Sequence, residues 1–243
     1  MAETGDRRIV VVGGSSGVGR AVAVECWRRG HRVAVIGRRE GHLDALRQEC
    51  PGILAASADV RDRDSIAAAV QAGAAQMGGI DGVLYASAVS RMDNVVDVDL
   101  DEWRRMFDTN VAGAAFTFRA ARTYLEASRG RMYCLSSISA YKPKPFLVPY
   151  AASKAALRKL LEGLRSEHPA VGFGLVTIGN TAPSDFNRDV DPAVVARAVE
   201  LYQRKGFMRY SAMEAPDVAR MIVTAFEAPM VVEDLTLLGP SRE

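Results

Sequence analysis

The chain has 243 residues, 49% of them hydrophobic and 25% charged, which suits one large α/β domain better than two small ones. A formal net charge of +2 gives no electrostatic reason to expect nucleic acid or an anionic membrane as a partner. Cys26, Cys50 and Cys134 lack CxxC or metal-ligand spacing, the polar residues 1–8 contain no signal-peptide core, and no apolar run approaches the ~20 residues that span a bilayer, so the expectation is a metal-free protein of the cytoplasm.

From the N-terminus onward, short β-branched runs alternate with longer Ala-rich segments of helical period. Residues 9–12, 33–36, 53–56, 83–85, 132–135, 173–178 and 231–238 are predicted strands. Residues 17–30, 41–48, 63–77, 100–127, 150–167 and 216–227 are predicted helices. Continuous apolar strands separated by helices imply a mainly parallel, seven-stranded sheet covered on both faces: a doubly wound, three-layer α/β fold occupying residues 1–243 as one domain. Asp99 and Glu102 have capping-box spacing, and Pro216 suits a first helical position. Residues 180–215 break the alternation. A late irregular stretch lies beyond the carboxyl ends of such strands, where ligands bind, so about 184–213 is expected to form a lid.

Three local patterns carry chemistry. After the first strand comes Val10-Val-Val-Gly13-Gly-Ser-Ser-Gly17-Val-Gly19-Arg, with GxxxGxG spacing. Glycines permit a tight turn and let backbone N–H groups approach a pyrophosphate, while the helix N-terminus adds partial positive charge. The bland alternative, a connector with no ligand, is weakened by its position between the first strand and first helix. The second strand ends in Ile36-Gly37-Arg38-Arg39, where a carboxylate would repel a ribose 2′-phosphate and an arginine attracts it. Tyr150-Ala-Ala-Ser-Lys154 puts a phenol and an ammonium four residues apart, on one helix face. A free tyrosine has a pKa of ~10, and a nearby ammonium favours its phenolate.

Ser137 stands 13 residues before Tyr150, in Leu135-Ser-Ser-Ile, and Asn110 stands 40 before it, in Asp108-Thr-Asn-Val-Ala-Gly113. With the glycine turn, these spacings resemble the Asn–Ser–Tyr–Lys tetrad of the short-chain dehydrogenase/reductase family over about residues 8–186. The resemblance implies a Rossmann-type fold and an NADP(H)-dependent oxidoreductase, of ketoreductase or alcohol dehydrogenase type, that interconverts a carbonyl and an alcohol. It makes Tyr150 the general acid/base and Ser137 a hydrogen-bond partner of the substrate oxygen. Lys154 would bind the nicotinamide ribose and tune Tyr150, and Asn110 would hold a water in the proton relay. Gly13, Ser15, Ser16, Gly17, Val18 and Gly19 would cradle the cofactor, with Arg38 and Arg39 at the 2′-phosphate. Asp59 and Val60 would lie near adenine, the backbone of Ala86 near the cofactor, and Thr181 and Ser184 near the carboxamide. NAD(H) is the weaker alternative, kept open because Glu40 follows the arginine pair and position 16, often basic in NADP-binding relatives, is Ser.

The sequence also departs from the family. Tyr85-Ala-Ser-Ala88 replaces the usual Asn-Asn-Ala-Gly, so Tyr85 needs its own packing solution. Ile178-Gly179 replaces Pro-Gly, and the C-terminal Asp-Gly-Gly is missing. Plainer readings stand beside the functional ones: Asp59 as a helix cap, Asn110 as a kink in a long helix, Ser136 as a filled core position. The lid reads more simply as an amphipathic helix with an Arg197–Glu200–Arg204 charge ladder than as a basic pocket rim. Aliphatic or aromatic ketones and β-ketoacyl thioesters all fit as small-molecule substrates. Assembly as a homodimer or homotetramer is implied by resemblance. A non-catalytic NADP(H)-responsive binding protein and an epimerase or dehydratase of the same fold are the competing functions.

Overall fold

The computed structural model describes residues 6–182, 186 and 190–241. In chain order the main strands are β1 (Arg8–Val12), β2 (Arg32–Gly37), β3 (Leu54–Ser57), β4 (Gly82–Tyr85), β5 (Arg131–Ser137) and β6 (Gly172–Ile178). A short parallel pair, β7 (Thr181–Ala182) and β8 (Met213–Glu214), precedes β9 (Asp234–Leu237). The main sheet has seven strands in the order β3-β2-β1-β4-β5-β6-β9, every neighbouring pair parallel. This is the expected doubly wound α/β architecture.

The run Ile-Val-Val-Val in β1 explains how one strand serves two faces. Successive side chains of a strand point to opposite sides. Val10 and Val12 enter a core with helices α3 (Arg63–Met77), α5 (Gly113–Ser128) and α6 (Val148–Glu167). Ile9 and Val11 enter another with α1 (Gly17–Arg28), α2 (Glu40–Glu49) and α8 (Ala215–Glu227). A third apolar cluster, built on Met92, Met106, Leu147, Tyr150, Ala198 and Tyr202, joins loops and helices beyond the sheet.

The predicted helix over 100–127 is divided. Helix α4 (Leu100–Phe107) passes into a π-helical turn, Asp108–Ala112, before α5 begins. The Gly113 N–H donates to the Asp108 carbonyl five residues back, and the buried Tyr85 hydroxyl donates to the Thr109 carbonyl within that turn. Gly113 makes the room. A Cβ there would collide with the Tyr85 hydroxyl and come within 2.9 Å of Val60. The departure at Tyr85 thus has its packing solution in a widened turn and a glycine.

Other expectations fare differently at their edges. The Asp99 side chain accepts from the Glu102 N–H at 2.8 Å, as the capping spacing implies, and Pro216 lies in the first turn of α8. The stretch after β6 contains a regular helix, α7 (Pro192–Arg204), whose start is capped by Asp191 accepting from Ala193 N–H at 2.8 Å. The last strand is shorter than predicted, Asp234–Leu237.

Gly113→Ala tests the Tyr85 arrangement. Overpacking of this kind costs about 1–3 kcal/mol. Denaturant unfolding should show a loss of that size, and Tyr85→Phe, which removes the hydroxyl that the new Cβ strikes, should lessen it in the double variant. Wild-type stability in Gly113→Ala would contradict the arrangement.

Candidate active site

Strand order reverses beside β1, where β2 continues the sheet to one side and β4 to the other. Ligand clefts of doubly wound sheets open at such switch points, beyond the carboxyl ends of the strands. Here a cavity of about 700 Å³ opens. Its floor is the glycine turn. Gly13, Ser15, Ser16, Gly17, Val18 and Gly19 all line it.

Gly13 has a left-handed φ of 82°, and a Cβ there would lie 2.7 Å from the Ser87 hydroxyl and the Ala86 backbone. Close approach to the loop after β4 therefore requires glycine. At Gly17 (φ 54°) a Cβ would meet nothing within 4 Å, so its requirement is backbone conformation, and the space beside it stays open. Ser16 caps α1 without a side-chain hydrogen bond. The first-turn amides thus face the cavity end of α1 with no side-chain cap, a donor set suited to phosphate oxygens.

Arg38 and Arg39, after β2, line the same cavity, as do Val60, Ala86 and Thr181. Asp59 is not among its lining residues. Its carboxylate binds the Arg61 guanidinium at 2.6 Å and the Arg61 N–H at 3.0 Å; Arg61, then Arg38 at longer range, holds it below the usual carboxylate range. Nor does Asp59 cap α3; Asp62 does, through Asp64 and Ser65 N–H groups. Ser184 lies outside the described residues.

Ser137, Tyr150 and Lys154 come together on the far wall. Ser137 ends β5, and its hydroxyl accepts from the Ser139 N–H at 3.2 Å. Tyr150 and Lys154 occupy the first turns of α6, one helical turn apart. Both are buried. The Lys154 ammonium donates to the Leu135 carbonyl at 2.8 Å and stands 5.8 Å from the Tyr150 ring centroid. The Phe186 ring meets the Tyr150 ring edge-on at 5.1 Å.

Burial favours the neutral forms of both groups. It pushes the Tyr150 hydroxyl up to about 12, opposed by a hydrogen bond with Ser137. It pulls Lys154 down to about 8, with the nearby Cys134 thiol acting the other way. The lowered tyrosine expected from an adjacent ammonium is thus outweighed here by desolvation, and the group that directly favours the phenolate is Ser137.

Asn110 is fully buried in the π turn. Its side-chain oxygen accepts from Val89 N–H at 2.8 Å, and its amide donates to the Val89 carbonyl and the Ser153 hydroxyl, both at 2.9 Å. It therefore ties the loop after β4 to α6 within one residue of Lys154. Ser153 and Val89 were not identified from sequence, because neither a small helix residue nor a loop valine carries a chemical signal. Among the described residues no group of three His, Cys, Asp or Glu side chains could hold a metal ion, and no helix is long and apolar enough to cross a membrane.

The family model for short chain dehydrogenases matches residues 7–197. The chain belongs to the short-chain dehydrogenase family. An uncharacterized oxidoreductase of Staphylococcus aureus (strain MW2) is 29% identical over 207 residues, covering 80% of this chain and 89% of that protein. Another, from Staphylococcus epidermidis (strain ATCC 35984), is 29% identical over 180 residues, covering 73% and 78%. These relatives are oxidoreductases by name, in keeping with the family's activity. Among solved structures, an alcohol dehydrogenase from the archaeon Thermococcus sibiricus, complexed with 5-hydroxy-NADP, superposes with a TM-score of 0.83 at 20% identity, covering 98% of this chain and 99% of that one. A serine dehydrogenase complexed with NADP+ gives 0.84 at 22% identity, covering 95% and 94%. A short-chain dehydrogenase from Streptomyces avermitilis gives 0.82 at 26% identity, covering 98% and 89%.

The buried ammonium has a measurable signature. Folded Lys154 releases its proton near pH 8, whereas the unfolded chain holds one to its ordinary value of 10.5. The unfolded state binds more protons between those values, so this group's contribution makes stability rise with pH across that window. The unfolding free energy of wild type relative to Lys154→Met should rise between pH 8 and 10. A flat or falling difference would contradict the burial argument.

Proposed function

We propose that this oxidoreductase uses NADP(H) and interconverts a carbonyl and an alcohol, with Tyr150 as its general acid/base. The observation that carries the reading is one cavity lined by both the glycine turn and the Ser137–Tyr150–Lys154 group. The turn offers uncapped helix amides to a pyrophosphate, and Arg38 offers a guanidinium to a 2′-phosphate. The NADP ligands in the names of two structural neighbours agree in kind.

A bound nicotinamide supplies or accepts the hydride. The protein's own part is to hold the substrate oxygen and move a proton. Tyr150, pushed up to about 12, carries its proton at neutral pH and is set to give it to an oxygen that becomes basic. Ser137, a hydroxyl at the end of a fixed strand, orients that oxygen and steadies the phenolate left behind. Lys154 sits one helical turn away with its ammonium anchored on Leu135, so its charge favours the same phenolate. Asn110 acts as a positioning residue through Val89 and Ser153, and a water held near it would extend the proton path. Thr181 serves the carboxamide, and Asp59, its carboxylate taken by Arg61, serves as a support for the Val60 wall.

A cytoplasmic location and a homodimer or homotetramer complete the proposal. Exposed Val96 and Leu100, at and before the start of α4, suit a subunit contact on that side.

The test is NADPH oxidation with a panel of carbonyl compounds, run beside NADH and beside Tyr150→Phe. General acid catalysis contributes about 10²–10⁴-fold. Wild type should turn over with at least about tenfold preference for NADPH in kcat/KM. Tyr150→Phe should bind NADPH normally and lose about 100-fold or more in turnover. Comparable efficiency with NADH would overturn the cofactor assignment, and full activity in Tyr150→Phe would overturn the mechanism.

A further inference from the structure

Lys144 is a lysine out of place. It lies in Lys142-Pro143-Lys144-Pro145-Phe146, between Ser137 and Tyr150, and lines the cavity with only 7% of its surface exposed. Its ammonium stands 5.3 Å over the Tyr202 ring centroid. Among the described residues it has no carboxylate within ion-pair distance. A lysine stem is long enough to carry its charge out to water, and burying an uncompensated ammonium is costly. This one is kept inside.

The turn that holds it is built. Prolines on both sides stiffen the backbone. Leu147 N–H donates to the Lys144 carbonyl at 3.1 Å, and the Tyr202 hydroxyl donates to the Pro145 carbonyl at 2.6 Å. Asp93 N–H donates to the Phe146 carbonyl at 3.0 Å. Phe146 itself has φ 65°, a left-handed conformation that bulky residues rarely adopt. Such strain persists where surrounding contacts enforce it, and it clusters at ligand sites.

Among the described residues the cavity's other cations near the tyrosines are engaged. Lys154 donates to the Leu135 carbonyl. Arg105 also lines the cavity, but its guanidinium binds Glu102 at 2.7 Å and the Ser90 carbonyl at 3.3 Å. Tyr202, over which the Lys144 ammonium stands, packs with Met92, Leu147, Val195 and Met208, all apolar residues that line the cavity. Tyr202 and Tyr150 belong to the same packed cluster, and Lys144 and both tyrosines line the one cavity.

We propose that Lys144 receives a carboxylate of the substrate, which makes the substrate class the oxo acids and their hydroxy acids. Among the described residues no carboxylate compensates this charge, and one such charge matches one carboxylate; a phosphate is ordinarily met by several donors. Burial lowers the affinity of Lys144 for its proton, and an anion beside it would restore that affinity. This assignment rests on the proposed oxidoreductase reading. In the reductive direction, hydride from NADPH forms the new C–H bond at the carbonyl carbon. The C=O π pair moves to oxygen and takes the Tyr150 proton, so the oxo acid is reduced as NADPH is oxidised. Lys144 takes no part in those bond changes.

The probes are acetoacetate and 4-oxopentanoate, their methyl esters, and dihydroxyacetone phosphate, each assayed with NADPH. In wild type, kcat/KM should favour an acid over its ester by at least about tenfold, a factor worth about 1.4 kcal/mol. That ratio should collapse in Lys144→Met, through KM more than kcat, and survive largely in Lys144→Arg. A ratio near one in wild type, a ratio unchanged in Lys144→Met, or preference for the phosphate would each overturn the proposal. Calorimetric titration of the same probes into the NADP+-bound protein needs no turnover and separates the two readings. Acid-selective binding that depends on Lys144, with no probe reduced, would count against the oxidoreductase reading and uphold the carboxylate site. Equal binding of acid and ester would overturn the site alone.

Discussion

The active-site wall depends on one constraint: the Lys154 ammonium is buried and tied to the Leu135 carbonyl at the end of β5. That bond locks the first turns of α6 to the sheet, and so fixes Tyr150 one turn away beside Ser137. Burial drives the phenol and the amine toward their neutral forms at once. A tyrosine that keeps its proton at neutral pH is a loaded acid. A positive charge placed in the cavity would shift that balance toward phenolate.

A second layer keeps that wall in register with the cofactor-side loops. Asn110 grips both backbone groups of Val89 and the hydroxyl of Ser153, which in turn donates to the Tyr150 carbonyl at 2.7 Å. The grip is possible because the helix containing Asn110 widens into a π turn, a feature that is rare and concentrated at functional sites. Tyr85 supports the turn from below through Thr109, and Gly113 leaves space for its hydroxyl. An unusual residue at the end of β4 has thus been absorbed by one carbonyl and one missing Cβ. Above it, Asn110 keeps its hydrogen bonds to Val89 and Ser153.

Much of this was legible in the sequence, for definite reasons. The β-branched runs are buried on both faces, so their period and length mark a parallel sheet, and the observed strand order follows. The glycine turn, Arg38, Ser137, Tyr150 and Lys154 are chemically distinctive residue types, picked out by their combined spacing more than by any single motif, and they line one cavity. What could not be read depends on tertiary partners. The division of the helix at Asp108 comes from Tyr85, distant in sequence, and Asp59 turned from the cavity because Arg61 stands two residues away. Asp191-Pro192 was a readable start for α7, overlooked because the sequence over 180–215 breaks the strand–helix alternation. Lys144 sat in a segment visible as stiff, but only its burial, and the lack of a carboxylate partner among the described residues, give it meaning.

In the proposed reaction a hydride reaches a carbonyl carbon in the cavity while the protein supplies the proton. The most direct measurement follows label from NADPH deuterated on one face of the nicotinamide C4 into an oxo acid that wild type reduces. One deuterium is expected on the carbinol carbon from a single labelled face, with the hydroxyl hydrogen drawn from water. Label released to solvent, or a carbinol carbon that carries solvent hydrogen whichever face is labelled, would contradict it.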